Sequence, residues 1–272
     1  MEATEAAMAR YGADVAVLSA AAGVYFGDAG EAIELSRLVN EAAAEIVRSD
    51  ARRFGALASL PLPDVDAAIA ELAYALDVLH LDGVVLHASV AGTYVGEPAF
   101  APLLDELERR HAYVFVHPMV PGWLPSYPYP PWVLELPFET TRAALSLVFS
   151  GTLDRCPNVR FHLPHLGGAM PFLAHRMASL SLRQPSFQER LSDTPLSFMR
   201  RFFVDTALAL NPPAFAGVLE LLDPEHIVFG TDWPYLPEPT LDFGAAGLGL
   251  ESDEILGIEH RHAAQLVPRL AR

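Results

Sequence analysis

Short apolar runs alternate with longer stretches of helical spacing along the whole chain. The short runs are rich in Val, Ile and Phe and carry almost no charge inside, which is typical of strands buried on both faces. Seven of them are predicted to be strands: Val15–Ser19, Phe54–Leu60, Gly83–His87, Tyr113–His117, Val159–Leu163, Phe202–Asp205 and Ile227–Thr231.

Segments with a helical period separate these strands. Two of them, around residues 35–46 and 69–79, present one apolar face each, and Asp64 is predicted to cap the N-terminus of the second. Further helices are predicted at Ala3–Tyr11, Phe100–Arg110, Thr140–Asp154, Met170–Leu182, Pro212–Leu222 and Glu259–Leu270.

The alternation of strands and helices predicts α/β architecture with a parallel sheet. An open doubly wound sheet and a TIM-type (β/α) barrel are both compatible with it. A barrel brings all strand ends to one mouth. Polar residues lie at or just after the predicted strand ends, as that mouth requires, at Ser19, His87, His117, His165 and Asp232. No Gly-x-Gly-x-x-Gly turn follows the first strand, which weakens the doubly wound alternative. We therefore expect one barrel domain over residues 1–272, with seven strands instead of eight.

Charge and cysteine content narrow the class of partner and compartment. The chain has 34 acidic and 18 basic residues, a net charge of −16, which disfavours nucleic acid and anionic membranes as partners. One cysteine, Cys156, allows no disulfide framework within the chain and is expected to be structural. No signal peptide or membrane span is visible, so a cytoplasmic location is expected. The proline-rich segment Pro118–Pro137 is predicted to be a loop that covers the site.

Three residues at strand ends carry groups suited to catalysis. His117 ends a strand before Pro118, His165 precedes a Leu-Gly-Gly turn, and Asp232 lies in a Gly-Thr-Asp-Trp-Pro segment. Imidazole and carboxylate together suit Zn²⁺ or a related metal, or acid–base chemistry. Each residue alone could instead be a hydrogen-bonded turn residue. Because all three follow buried strands, we expect them to converge at one mouth.

Other residues are weaker candidates. His87 is expected to line the mouth, whereas His162 is expected to face the barrel wall or a helix. Arg176 could pair with a substrate carboxylate or form a surface salt bridge. A pocket wall or ordinary core packing is predicted for Trp132, Trp233 and Tyr235. Solvated positions near helix ends or in surface loops are predicted for His80, His111, His175, His226, His260 and His262.

Several motifs together resemble one family. They are Arg53-Phe-Gly-Ala-Leu-Ala-Ser-Leu-Pro-Leu-Pro-Asp64, Phe115-Val-His-Pro118, His165-Leu-Gly-Gly168, Phe229-Gly-Thr-Asp-Trp-Pro-Tyr235, Gly23-Val-Tyr-Phe-Gly-Asp28 and Glu139-Thr-Thr-Arg142. The chain resembles the amidohydrolase-related family, and within it the aminocarboxymuconate semialdehyde and 6-methylsalicylate type decarboxylases. The motifs span about Tyr11 to Leu266 and are specific for the family but not for a substrate.

The resemblance implies a metal-dependent barrel with assigned roles. His117 and Asp232 would be metal ligands, with Zn²⁺ as the expected metal, and His165 would be the general acid/base. Arg176 would reach the substrate carboxylate of a neighbouring subunit, which implies a homodimer. Trp132 is expected to contact the same small carboxylic acid substrate.

The chain departs from the family pattern at its beginning. Family members start with a strand carrying His-x-His, which supplies two metal ligands, whereas no histidine precedes His80 here. Two remaining ligands would hold a metal weakly, because stable zinc sites offer three or four. We expect that the recorded start lies downstream of the true one; a degenerate family member is the alternative.

Three functions follow from these expectations. The first is non-oxidative decarboxylation of a small aromatic or unsaturated carboxylic acid, with His165 moving the proton. The second is metal-dependent hydrolysis of a lactone or amide on the same scaffold, which the fold alone does not exclude. The third is a catalytically impaired remnant that lacks two metal ligands.

Overall fold

A computed structural model describes residues 1–124, 128–181, 183–189, 191–235 and 248–271 of the chain. Its main sheet has seven strands, all parallel, in the order β1-β2-β3-β6-β7-β8-β9. They form a half-barrel, with β1 and β9 as its edges. The strands are β1 (Ala16–Leu18), β2 (Phe54–Ser59), β3 (Gly83–His87), β6 (Tyr113–His117), β7 (Arg160–Leu163), β8 (Phe203–Asp205) and β9 (Ile227–Val228).

The seven predicted strands are confirmed, with corrections at the sheet edges. The first strand was expected to be buried on both faces, but Val17 is exposed because β1 is an edge strand. The last was expected to reach Thr231, but it ends at Val228 because the next amide, that of Phe229, donates to Ile258 O at 3.0 Å.

The helices lie outside the sheet and were predicted in part. Asp64 caps its helix by accepting from Ala67 N at 3.0 Å. The helix predicted at Thr140–Asp154 is two helices, divided at Gly151, whose φ is 77°. The helices are α1 (Glu2–Tyr11), α2 (Ala29–Ser49), α3 (Val65–Ala73), α4 (Ala101–Arg109), α5 (Glu135–Phe149), α6 (Thr152–Arg155), α7 (Met170–Ser181), α8 (Pro185–Gln188), α9 (Pro195–Met199), α10 (Pro212–Leu219) and α11 (Ser252–Leu256).

The end of the chain differs from the helix predicted at Glu259–Leu270. After α11, the segment from Gly257 to Leu270 forms a π-helical turn and two 3₁₀ turns. His262, predicted to be solvated, is buried there, and its Nδ1 lies 2.9 Å from Ile227 O. This contact ties the segment to β9, so packing against the sheet overrides the helical period of the sequence.

Some short elements were not predicted. A two-stranded antiparallel hairpin, β4 (Ser89–Val90) and β5 (Thr93–Tyr94), follows β3 directly. Strands of two residues give no detectable period. In the described residues, the loop predicted at Pro118–Pro137 is irregular only as far as Pro130, because a 3₁₀ turn and α5 follow. Residues 125–127 of that predicted loop lie outside the described part of the chain. Leu182, the last residue of a predicted helix, lies outside it as well.

Side chains on the strands alternate between two cores. Val84, Leu86, Val114 and Val116 point outward into the main core beneath the helices. Residues between them point inward, as the period of two requires. The curved sheet surrounds an inner cluster that comprises Leu57, Val85, Tyr113, Phe203, Val228, Leu266 and Val267. No helix in the described part is long and apolar enough to cross a membrane.

Candidate active site

Two neighbouring strands end in histidines. β3 and β6 run parallel, and their register pairs His87 with His117. Both side chains fall on the inner face, because each lies two residues beyond an inward-facing residue of its strand. The two rings approach edge to face, with centroids 6.5 Å apart. This places two imidazoles side by side at the carboxyl end of the half-barrel.

His165 lies in a tight turn after β7. Four consecutive residues from His165 to Gly168 have positive φ, with 58° at His165 itself. Glycine is required at the fourth position, because a Cβ at Gly168 would clash with the carbonyl oxygen of Pro137. The turn therefore fixes where His165 leaves the backbone, and its side chain is buried.

Asp232 follows β9 and meets His165. Its φ is 53°, another left-handed position for a residue other than glycine. Asp232 Oδ2 lies 3.6 Å from His165 Nε2. Two strained turns from different strands thus bring an imidazole and a carboxylate together at the same mouth.

Burial and neighbouring charges keep His87 and His117 neutral. The pKa of His117 is lowered to about 4, first by burial and then by His87 and His165, against the opposing charge of Asp232. Burial also lowers the pKa of His87, although its contact with Ala21 O partly opposes this. Near pH 7 both are neutral imidazoles, the form that binds metals and accepts protons.

The structure thus brings together His117, His165 and Asp232, which sequence analysis selected, and adds His87 beside them. Arg176 is exposed on α7, and Trp132 is 64% exposed in the 3₁₀ turn before α5. Within the described part of the chain, no hydrogen bond, ion pair or ring contact joins either residue to His117, His165 or Asp232. The expected surface salt bridge of Arg176 is also absent among these residues.

The donor atoms at the mouth do not form a complete metal site. His117 Nδ1 and His165 Nδ1 are buried without a hydrogen-bond partner among the described residues, which suits a bound group. Yet in the same part of the chain no three His, Cys, Asp or Glu side chains are arranged to hold a metal ion. Imidazole and carboxylate are the right donor types, but no three of them in the described residues converge as a metal ion requires.

Sequence analysis missed a buried aspartate beside the site. Asp205 ends β8, and its Oδ1 accepts from the backbone N–H of His165 at 2.9 Å. Its Oδ2 lies 3.1 Å from Nε2 of His162, which was given no chemical role. The signal was present, since Asp205 is a polar residue at the end of a predicted strand.

A parallel α/β half-barrel with buried or half-buried histidines and aspartates at its strand ends defines a class of barrel enzymes whose sites lie at the carboxyl end of the sheet. The chain belongs to the amidohydrolase family, whose model matches residues 1–263. This confirms the resemblance read from the sequence motifs.

Two relatives are fungal enzymes. The chain is 37% identical to decarboxylase macB of Penicillium terrestre over 264 residues, which cover 89% of this chain and 76% of that protein. It is 36% identical to 6-methylsalicylic acid decarboxylase acuB of Aspergillus aculeatus over 262 residues, or 90% and 78% of the two chains.

Solved structures share the fold. A structure named amidohydrolase II matches with a TM-score of 0.90 at 26% identity, over 98% of this chain and 88% of that one. The dihydroxybenzoic acid decarboxylase from Polaromonas sp. JS666 matches with a TM-score of 0.86 at 22% identity, over 98% and 86%. The latter contains bound manganese and the inhibitor 2-nitroresorcinol.

Proposed function

We propose that this chain is a non-oxidative decarboxylase, a carboxy-lyase, that acts on a small aromatic carboxylic acid and forms one barrel domain over residues 1–272. The observation that carries the proposal is the pair formed by buried His165 and half-buried Asp232, 3.6 Å apart, in a chain 37% and 36% identical to two decarboxylases. A buried imidazole beside a carboxylate is suited to hold and deliver one proton.

The reaction needs one proton at one carbon. The bond between the ring and the carboxylate breaks, its electron pair stays on the ring carbon, and carbon dioxide leaves. That carbon then takes a proton from His165 Nε2. Asp232 lies close enough to compensate the charge of the imidazolium that carries the proton, and the buried mouth strengthens this interaction.

A divalent metal is the proposed cofactor, with His117 and Asp232 as ligands and Zn²⁺ or Mn²⁺ as the ion. When bound, it supplies positive charge to substrate oxygens. Because fewer than three ligands are assembled, we expect well under one metal per chain after dialysis. Elemental analysis of the parent and of His117→Ala measures this; stoichiometric metal in the parent would contradict the incomplete site.

Arg176 and Trp132 are the proposed substrate contacts. The guanidinium of Arg176 is exposed and has no ion pair among the described residues, so it is available to a carboxylate. Since it lies outside the buried mouth, we propose that it serves the site of a second copy in a homodimer. A purely monomeric chain in light scattering, with full activity, would exclude this arrangement.

The test of function is a substrate panel. The purified chain is incubated with 2-hydroxy-6-methylbenzoate, 2,6-dihydroxybenzoate and benzoate, with and without added Mn²⁺ or Zn²⁺. Carbon dioxide release together with the decarboxylated ring product supports the proposal. Hydrolysis of a parallel lactone and amide panel without carbon dioxide release would favour a hydrolase, and no turnover of either panel would favour an impaired remnant.

A further inference from the structure

A chain of buried polar contacts runs along the inner face of the half-barrel. The hydroxyl of Tyr113 on β6 lies 2.8 Å from His162 Nδ1 on β7. His162 Nε2 lies 3.1 Å from Asp205 Oδ2 on β8. All three side chains are buried, and the ring of Phe115 packs against His162 with centroids 4.7 Å apart. The proposed chemistry uses none of these groups directly.

The positions of the hydrogens in this series of contacts follow from burial and from the charge of Asp205. Burial, and to a lesser degree Asp205, raises the pKa of Tyr113, so its phenol keeps its proton. Because the Asp205 carboxylate lies 3.1 Å from His162 Nε2, we place the imidazole hydrogen on Nε2, and the Tyr113 hydroxyl then donates a hydrogen bond to Nδ1. The contact between Nε2 and Asp205 is a charge contact that does not have the geometry of a hydrogen bond. Burial alone would raise the pKa of Asp205, but His162 and His165 outweigh it, so the group is a carboxylate.

The other oxygen of Asp205 holds the turn that contains His165. Asp205 Oδ1 accepts from His165 N at 2.9 Å and from Ala207 N at 3.1 Å. The bond to Ala207 is an ordinary local turn contact. The bond to His165 is different, because it joins two strands and reaches a residue whose φ of 58° is unfavourable for a side chain with a Cβ.

Packing leaves Asp205 little freedom to turn away. A Cβ placed on Gly230 would lie 2.8 Å from both Cβ and Cγ of Asp205, so only glycine fits beside it. The carboxylate is therefore enclosed by the backbone at Gly230 on one side, by His162 on the second and by two backbone amides on the third. Such over-determined contacts are what maintain a strained turn.

We propose that Asp205 is a positioning residue for His165, and that Tyr113 and His162 in turn hold Asp205. The carboxylate keeps the His165 backbone in its left-handed conformation and so aims the imidazole at Asp232 and the mouth. Asp205 acts through His165 and has no contact with the substrate. The effect on turnover rests on the proposed decarboxylase function, whereas the effect on geometry does not.

The kinetic test compares Asp205→Ala with Val228→Ala. Val228 pairs with Asp205 in the sheet register and belongs to the inner cluster, but its side chain is apolar and cannot hydrogen-bond the His165 turn. We expect Asp205→Ala to lower kcat by about 10²-fold through misplacement of His165, with KM changed by less than about threefold. Val228→Ala should lower Tm and leave kcat near that of the parent. Equal kcat in Asp205→Ala and the parent, or equal losses in both variants, would overturn the proposal.

A second test reads the geometry without turnover. In the parent, hydrogen exchange of the His165 amide should be slow, because the amide is buried and bonded to Asp205. Asp205→Ala should lose this protection, while Val228→Ala should keep it. Unchanged protection in Asp205→Ala overturns the positioning role even if the chain is an active decarboxylase. Lost protection in a chain inactive on every substrate supports the role and rejects only the proposed function.

The third test follows the proton on His162. Nitrogen-15 spectra of the parent should show His162 protonated at Nε2 only. In Asp205→Asn, if the amide oxygen keeps the bond to His165 N, the amide nitrogen faces Nε2. The proton should therefore move to Nδ1 and donate to the Tyr113 oxygen. A parent spectrum with Nε2 unprotonated would contradict the series of contacts from Tyr113 through His162 to Asp205.

Tyr113→Phe removes only the hydroxyl, the contact in this series that lies furthest from His165. It should lower kcat by no more than about tenfold.

Discussion

Glu71 and Asp205 are two of the buried carboxylates in the described part of the molecule, and their partners differ. Glu71 on α3 is 4% exposed and accepts from the guanidinium of Arg37, which is 45% exposed, at 2.8 Å. Glu71 also accepts from Asn40 Nδ2 at 2.8 Å, and Asn40 bonds both the N–H and the C=O of Ser59 on β2. Asp205 on β8 is paired with His162 and with backbone amides at the mouth.

The different partners of Glu71 and Asp205 give the two carboxylates different roles, one in the fold and one at the site. Glu71 faces a permanent cation, so its charge is compensated, and its contacts fasten α2 and α3 to the outer side of β2. Asp205 has no arginine among these partners, and its charge is directed at two histidine residues and a strained turn. In this molecule Glu71 joins elements of the fold, whereas Asp205 fixes geometry at the site.

The largest effect should follow removal of the imidazole that Asp205 positions. His165→Ala should lower kcat by about 10²–10⁴-fold, the usual contribution of a placed general acid/base. The thermal midpoint should change little, because Asp205 binds the backbone N–H of residue 165, which alanine retains. Product formation and thermal melts measure both quantities.

The matched control for this variant is His175→Ala. His175 is exposed on α7, ten residues further along the chain, and the proposed chemistry does not use it. Its removal should leave kcat unchanged. Full turnover by His165→Ala would show that another group delivers the proton.

An intermediate effect, on stability alone, is expected from Glu71→Ala. The variant leaves Asn40 Nδ2 and the Arg37 guanidinium without their carboxylate. Hydrogen bonds to charged groups contribute about 1.5–3 kcal/mol, discounted here because Arg37 can turn to solvent, so the free energy of unfolding should fall by about 2 kcal/mol. Urea unfolding measures this, and kcat should stay the same.

Glu41→Ala is the control for that experiment. Glu41 accepts from the Tyr74 hydroxyl at 3.2 Å on an exposed face beside the same helices. Its loss should change the free energy of unfolding by less than about 0.5 kcal/mol. If Glu71→Ala reduced kcat as strongly as Asp205→Ala does, the division between the two carboxylates would be wrong.

The smallest effect is expected at a carboxylate near the surface. Arg109 and Arg110 lower the pKa of Glu106 to about 2, although burial opposes them. The folded pKa lies below the unfolded one, so the stabilisation is complete above about pH 4.5 and is lost as the pH falls towards 2. Glu106→Gln should lower Tm at pH 7 by at most about 2 °C. Melts of parent and variant should converge on acidification, and a gap that widens would reverse the sign.

The sequence predicted those elements of the fold that a local pattern of residues determines. Gly83–His87 and Tyr113–His117 have the predicted bounds, because each is a short uncharged run rich in Val, which is typical of a strand buried on both faces. The segment from Gly257 to Leu270 was not predicted, because the contact of His262 with Ile227 O joins residues 35 positions apart. Periodicity carries no information about such a contact.

Some features of the candidate site also follow from the sequence, whereas others depend on tertiary contacts. The sequence by itself determined the family, the parallel sheet of seven strands and the positions of His117, His165 and Asp232 at or just after strand ends, because parallel strands bring their carboxyl ends to one mouth. Only the tertiary structure decided that His165 faces Asp232, and that Asp205 with His162 and Tyr113 holds the turn. These contacts depend on inward-facing side chains of separate strands, and their distances are set by the curvature and register of the sheet, which local sequence does not encode.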